Sequence, residues 1–531
     1  MAARFETLLA MLEERARRQP ERVAFLFGEE ATTFRQLWAD IDQFAGELLE
    51  RHLQWGQRVI LALPNGGAFF TAFYGVQRAG GIPVPIFPDS GGERIGALAG
   101  LCGARWVVAG SASGQALSEA ETRSELTILP PPMRGGAGGS RQQAECPVVA
   151  GDTVAYIQYT SGSTGDPKGV VLTHAMVLAN LEQLIAGLGI RQREVFVSWL
   201  PVHHDMGLVL KTMVPFYLGA RLVLLPARLT QVGRWLAAIE RYRATFTAAP
   251  DFAYRLATRH GRRHRAIDLS SLRVALNAAE PVRQGTIEAF EATFRLHHVM
   301  VPAYGLAEAT VGVSASPVGQ TVRVDSHGVV TVGRPFPGVE VVLVGDDDVL
   351  ASPGAIGEIA VRSAACTRGY YRNPRANADL FWRGDFLRTG DLGYLDDTGD
   401  LFVVGRRKNI IIHGGRNLAP REIEEIVDPL AGVRLSAAVG IDRGGLEGEQ
   451  VYVFAEARIA RSAPTKAFQA LVIAIVGAIH RRLGLRPGRV YLVAPHTLPQ
   501  THNGKLRHRA LRQAYLSGEL RESGKILFPD F

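Results

Sequence analysis

An α/β fold built from more than one domain is what this sequence predicts, on three observations. The chain has 531 residues, more than one hydrophobic core ordinarily serves. Short apolar runs alternate with helical patterns to about residue 320, the order expected of α/β layers. From Gly333 the texture changes to brief β-like runs with turn signals, "GVEVVLVGDDD" and "GAIGEIAVRS", which predicts a smaller β-rich subdomain. A βαβ-like pattern then runs to the end of the chain.

The elements follow in order. "MAARFETLLAMLEERARR" has apolar residues at helical spacing and acidic residues by Glu13, so it reads as an amphipathic helix and not as a secretory signal. "VAFLF" (Val23 to Phe27) and "RVILALP" (Arg58 to Pro64) read as strands. Residues 130–151, rich in Pro and Gly, read as an exposed connection. "TVAYIQY" (Thr153 to Tyr159) is a buried strand, and "VVLTH" a second, short one. Thr173 is placed to cap a helix with Val177, Leu181, Leu184, Ile185 and Leu188 on one face. Pro420, with Glu422, Glu424 and Glu425, suits a helix start. Ala470 to Ile479 reads as a buried helix, too short for a membrane span.

Composition narrows the class. Hydrophobic residues make up 47% and charged residues 21%, as in soluble globular proteins. Cys102, Cys146 and Cys366 are far apart and lack metal-ligand spacing, so a reducing, cytoplasmic setting fits better than a disulfide scaffold. The formal charge of +8 is spread along the chain without interleaved aromatics, which argues against nucleic acid as a partner. No stable membrane insertion is expected, and oligomeric state is not legible. Of 59 basic residues only Lys168, Lys211, Lys408, Lys466, Lys505 and Lys525 are lysine. Lysine, a compact point charge on a flexible stem, therefore carries information here when it falls within a motif.

The densest run of Gly, Ser and Thr is "YTSGSTGDPKGV" (Tyr159 to Val170). It is not a Walker loop, because Asp166 and Pro167 separate Gly165 from Lys168. Gly162 and Gly165 permit close backbone approach, Thr160, Ser161, Ser163 and Thr164 add hydroxyl donors, and Lys168 adds charge. Alone, such a loop is more often a flexible linker than a phosphate site.

Other stretches decide between the two. "TSGSTGDPKGV", "SWLPVHHDMGL" (Ser198 to Leu208), "NAAEPV" (Asn277 to Val282), "YGLAEAT" (Tyr304 to Thr310), "RTGDLGYLDDTGDLFVVGRRKNIIIHGGRNLAPREIEEI" (Arg388 to Ile426) and "LPQTHNGKLRHRAL" (Leu498 to Leu511) occur in that order. Together they resemble the adenylate-forming enzymes: acyl-CoA synthetases, luciferases and peptide-synthetase adenylation domains. The resemblance implies an N-terminal adenylation domain (1–405), a hinge (406–408) at Lys408, and a small mobile α+β C-terminal domain (409–531). It also implies ATP and Mg²⁺. The loop from Thr160 to Gly165 with Lys168 would hold phosphates, and Glu308 with Thr160 would hold the metal, a hard ion suited to a carboxylate. Asn277, Ala278, Ala279 and Glu280 would form an adenine wall, with Tyr304 stacked on the base beside Gly305. Asp391 would accept from the ribose hydroxyls, with Arg406 as its companion. His204 would lie beside the carboxylate pocket, and Lys505 would contact the substrate carboxylate and α-phosphate.

Among subfamilies the motifs look most like fatty acyl-AMP ligases, which pass fatty acids to the phosphopantetheine thiol of an acyl carrier protein. Two departures stand out. Ala307 occupies a position where many members have Thr. From Ala309 to Gly333 only a short stretch stands where those ligases usually carry an insertion, which leaves CoA open as the acceptor. Asp205 also leaves an amino-acid substrate open, since relatives that activate amino acids often use an Asp there. A non-catalytic sensor on this fold is a further alternative, and the joint presence of Lys168, Glu308, Asp391 and Lys505 speaks against it.

Overall fold

The computed structural model describes residues 4–110, 126–133, 145–160, 167–227, 232–263, 267–326, 328–345, 347–413, 416–442, 449–500 and 506–528; sheet sizes given below are of these residues. The largest sheet has nine strands. Its middle is parallel: Met300–Tyr304, Val274–Asn277, Phe246–Ala249, Val195–Ser198, Arg221–Leu224 and Val23–Phe27 lie side by side. Antiparallel strands close both edges, Glu30–Thr33 on one and Ser314–Ala315 with Arg334–Pro335 on the other. A second, four-stranded parallel sheet contains Arg58–Ala62. Parallel strands need crossovers, and helices on their faces supply them. In the Val274–Asn277 strand all four residues are buried, the continuous apolar reading of a strand covered on both faces.

Two sequence expectations explain the region that opens onto the site. Val154–Thr160 and Lys168–Thr173 form an antiparallel hairpin with Thr160 opposite Lys168. Thr173 caps the next helix, His174–Gly187, by accepting from the Met176 N–H at 3.3 Å. Its apolar stripe packs Val177, Leu181 and Leu184 into the core, and Leu188, the C-cap, is buried with them.

The β-rich subdomain begins with Val339–Val344 and Gly357–Ser363 and is antiparallel throughout. The smaller C-terminal part has its own sheet. Glu449–Ala457 and Arg489–Val493 pair in parallel, joined by the helix Thr465–Leu483, the expected βαβ unit. That helix corrects one expectation: Leu471, Val472, Ile475 and Ile479 are buried, but Ile473 is 65% exposed. It covers one face of a sheet and so needs only one apolar stripe.

The core of the large N-terminal part and the two cores of the smaller part share no residue, and they separate between Leu401 and Ile411. Arg283 and Asp428 nevertheless join the two parts through an ion pair at 2.9 Å. Arg421 adds a hydrogen bond to the Val282 carbonyl at 2.5 Å. No helix among the described residues is long and apolar enough to cross a membrane.

Candidate active site

A cavity of about 2330 Å³ lies between the two parts and is lined from both. Most of the site residues expected from sequence meet on its N-terminal wall. Register explains one cluster. In the pairing of Phe386–Leu395 with Leu401–Arg406, Asp391 stands opposite Arg406. Their side chains meet, Arg406 Nε lying 3.0 Å from Asp391 Oδ1. The other carboxylate oxygen accepts from Tyr304 Oη at 2.8 Å. The carboxylate is only 6% exposed, yet both oxygens are satisfied, which removes most of the cost of burying it. Asp391 raises the Arg406 guanidinium above its ordinary pKa. Burial first, and Asp391 second, hold the Tyr304 hydroxyl protonated far above the usual tyrosine range.

Tyr304 ends a strand, and the chain turns sharply after it. A Cβ on Gly305 would sit 1.7 Å from the Val311 carbonyl oxygen, so only glycine allows this turn to close. The turn continues into a short 3₁₀ segment, Ala307–Ala309, that presents Glu308. Glu308 Oε1 accepts from Tyr370 Oη at 2.8 Å, and among the described residues its other oxygen takes no hydrogen bond. A carboxylate with such an oxygen on the cavity wall is the hard ligand that a Mg²⁺ ion shared with phosphates would take.

Ala278, Ala279 and Glu280 line the cavity and leave the sheet as a bend, whereas Asn277, also expected in the adenine wall, is the fully buried end of its strand and lies behind them, outside the lining. Ala279 holds φ = 72°, a left-handed conformation uncommon for a residue with a Cβ and often found at functional sites. The bend is braced from beneath by buried Asp251. That carboxylate accepts from Asn277 Nδ2 at 3.1 Å, from the Arg283 N–H at 3.2 Å and from Thr286 Oγ1 at 3.0 Å. Glu280 accepts from the Phe252 N–H, so its carboxylate is engaged with the neighbouring helix.

The "PVHHDMG" loop is also braced. Asn65 donates to the Leu200 carbonyl at 2.9 Å and accepts from the Val202 N–H at 3.0 Å. Gln158 donates to the His203 carbonyl at 2.9 Å. His204 Nδ1 contacts Asp205 Oδ1 at 2.5 Å, and Asp205 also accepts from the Met206 N–H at 2.6 Å. Beyond it Met206–Met213 forms a π-helix, a widened turn that recurs at functional sites. Met206 and Leu210 from it, with Leu184, Val311, Val332 and Phe336, give the cavity an apolar limb.

Lys168 Nζ sits 4.8 Å from the Tyr370 ring centroid. Lys408, on the 3₁₀ turn Arg407–Asn409 between the two parts, has its pKa lowered by partial burial and by the cations Lys168, Arg509 and Arg406. Ser161, Gly162, Ser163, Thr164, Gly165 and Lys505 lie outside the described residues. Thr160 and Lys168, which flank the loop, line the cavity, as do Gln500 and Leu506 on either side of the Lys505 segment. Two residues were missed by sequence reasoning, Tyr370 and Asp251. Their contacts with Glu308 and Asn277 span 62 and 26 residues, and only the "GYY" and "PDF" patterns could have drawn attention to them.

The sequence profile of the AMP-binding enzymes matches residues 12–371. The chain belongs to the AMP-binding enzyme family. Two of its relatives within this family are similar along nearly their whole lengths. The medium-chain-fatty-acid–[acyl-carrier-protein] ligase JamA of Moorena producens is 30% identical, over 97% of this chain and 96% of JamA. A protein of Mycobacterium leprae provisionally named fatty-acid–CoA ligase fadD21 is 30% identical, over 96% of this chain and 98% of its own. Among solved AMP-binding structures, one from a study of fatty acyl-adenylate ligases from E. coli and L. pneumophila superposes with a TM-score of 0.88 at 26% identity. It covers 98% of this chain and 99% of that one.

Proposed function

We propose that the protein activates a fatty acid with ATP as acyl-AMP, releasing pyrophosphate, and then passes the acyl group to the phosphopantetheine thiol of an acyl carrier protein. The observation that carries this reading is one cavity with a polar end and an apolar limb. Asp391, Tyr304, Arg406 and Glu308 stand at the first, and Met206, Leu210 and Val332 at the second.

In this reading the buried Asp391 carboxylate holds the ribose hydroxyls and the Ala278–Glu280 bend closes over the adenine. Thr160, the loop after it and Lys168 hold the phosphates. Glu308 and Thr160 would hold Mg²⁺, which would neutralise phosphate charge when bound. The acyl chain lies in the apolar limb, with its carboxylate turned toward His204 and the α-phosphate. A carboxylate oxygen attacks the α-phosphorus, the bond to the bridging oxygen breaks, and pyrophosphate leaves. Lys505, carried on the C-terminal part, is assigned the charge that builds at this step. Rotation about Lys408 then withdraws Lys505 and admits the thiol, which attacks the acyl carbonyl and expels AMP.

The name and full-length similarity of JamA support a carrier protein as acceptor. CoA is the second reading, favoured by the short Ala309–Gly333 stretch and by the name of the mycobacterial relative. Asp205 speaks against an amino-acid substrate, because its carboxylate already meets His204 and the Met206 N–H. Purified protein given ATP, a ladder of fatty acids, and CoA or a holo carrier protein in parallel tests the proposal. Mass spectrometry should find acyl-carrier product above acyl-CoA. Acyl-CoA alone would move the acceptor to CoA, and no acyl-AMP with any acid would overturn the reading.

A further inference from the structure

Lys168 and Glu308 carry opposite charges at the same end of the cavity, yet they do not pair with each other. Among the described residues neither has an ion-pair partner. One ring stands between them. The Lys168 ammonium lies over the face of Tyr370, 4.8 Å from its centroid, while the Tyr370 hydroxyl donates to Glu308 at 2.8 Å. A ring face attracts a cation through its quadrupole, and a hydroxyl donates to a carboxylate. Tyrosine offers both on one rigid plate. We propose that Tyr370 is a positioning residue that keeps Lys168 and Glu308 apart, so that both charges stay available to a nucleotide triphosphate and its divalent cation.

The backbone around Tyr370 is held without help from the ring. Its N–H donates to Asn377 Oδ1 at 2.7 Å, and its carbonyl accepts from Asn377 Nδ2 at 3.0 Å. The residue also bridges Val170 on the hairpin, and the following N–H, of Tyr371, donates to the Gly169 carbonyl at 2.7 Å. Glu308 is fixed to the same segment through its own carbonyl, which accepts from the Thr367 N–H at 2.7 Å. The backbone thus ties the Lys168 hairpin and the Glu308 turn to the one segment that carries Tyr370. Without the ring a direct Lys168–Glu308 pair would have to be broken before phosphate could reach the lysine.

The proposal rests on the cavity being the ATP site, and calorimetry separates the two claims. The probe is α,β-methylene-ATP, titrated in EDTA so that Lys168 is read without the metal, into wild type, Tyr370→Leu, Tyr370→Phe, Glu308→Gln and the doubles Y370L/E308Q and Y370F/E308Q. Tyr370→Leu is expected to weaken metal-free binding about tenfold, the scale of one charge-assisted contact. Tyr370→Phe keeps the ring face, so it should weaken binding less, and it also serves if the leucine variant fails to fold. With Gln at 308 there is no carboxylate to capture Lys168, so each double variant should bind within about twofold of E308Q, as a coupled pair requires. Wild-type affinity in Y370L, or doubles no tighter than their tyrosine single variants, would overturn the spacer role. A wild type that binds no nucleotide with or without Mg²⁺ would overturn the ATP site itself.

Discussion

Replacing Lys211 with methionine should stabilise the N-terminal part at neutral pH, by an amount that shrinks as the pH is raised. Lys211 is fully buried on the π-helix whose neighbouring residue Leu210 lines the apolar limb. Its amine lies 5.0 Å from the Phe196 ring centroid and 4.6 Å from that of Phe246. It donates one hydrogen bond, to the Phe246 carbonyl at 3.1 Å. Burial pushes its pKa well below the ordinary value of 10.5. In the unfolded chain the amine binds a proton up to that ordinary value, so the unfolded state holds more protons and stability rises with pH between the folded and unfolded values. The slope from this one group is at most about 1.4 kcal/mol per pH unit, and holding the amine neutral at pH 7 costs at most about 5 kcal/mol. Methionine has a similar volume and no charge, but it leaves the Phe246 carbonyl without that donor, a loss of about 1–3 kcal/mol. The expected net gain at pH 7 is therefore at most about 2–4 kcal/mol, and near pH 10 it should vanish or reverse. All six tryptophans fall at or before position 382, so urea unfolding followed by tryptophan fluorescence reports on this part. A difference between the two proteins that stays constant from pH 7 to 10, or a methionine variant less stable at pH 7, would refute the reasoning.

Three further outcomes follow from other parts of the chain. Burial alone would lower the His508 pKa, but Glu424, 2.6 Å away, raises it above 6.5. The pair's contribution is therefore complete below pH 6.5 and is lost as pH rises through the folded value. Hydrogen exchange of the C-terminal sheet should loosen on the alkaline side, by about 1–2 kcal/mol, and His508→Gln should remove that dependence. Val332→Trp should shift chain preference toward shorter acids in a mixed fatty-acid competition, with each displaced methylene costing about 0.8 kcal/mol, while an unchanged profile would remove Val332 from the acyl limb. Lys505→Ala should slow pyrophosphate exchange about 10²–10³-fold and spare thiol transfer from supplied acyl-AMP, whereas wild-type exchange would take Lys505 out of the chemistry.

What the sequence made legible follows the range of each interaction. Thr173 as a cap, the Val154–Thr160 strand and the Pro420 helix start depend on neighbours a few residues away, and all could be read directly. Asp391, Arg406, Tyr304 and Glu308 were found through motif resemblance, and the structure brings all four to one cavity. The Tyr370 spacer was not legible, because its meaning depends on a ring lying between residues of two distant segments. Nor was the π-helix, since a slipped hydrogen-bond register leaves the apolar pattern of Met206–Met213 much as an α-helix would have it. Ile473 shows the converse: a run of apolar residues suggested full burial where only one stripe was needed.

Oxygen transfer tests the central claim most directly. A fatty acid labelled with ¹⁸O in both carboxylate oxygens is incubated with the protein, ATP, Mg²⁺ and a thiol acceptor, and the nucleotide product is weighed by mass spectrometry. If the carboxylate attacks the α-phosphorus, the product is AMP carrying one ¹⁸O atom, and its yield matches that of the thioester. Unlabelled AMP, or ADP in its place, would contradict the account.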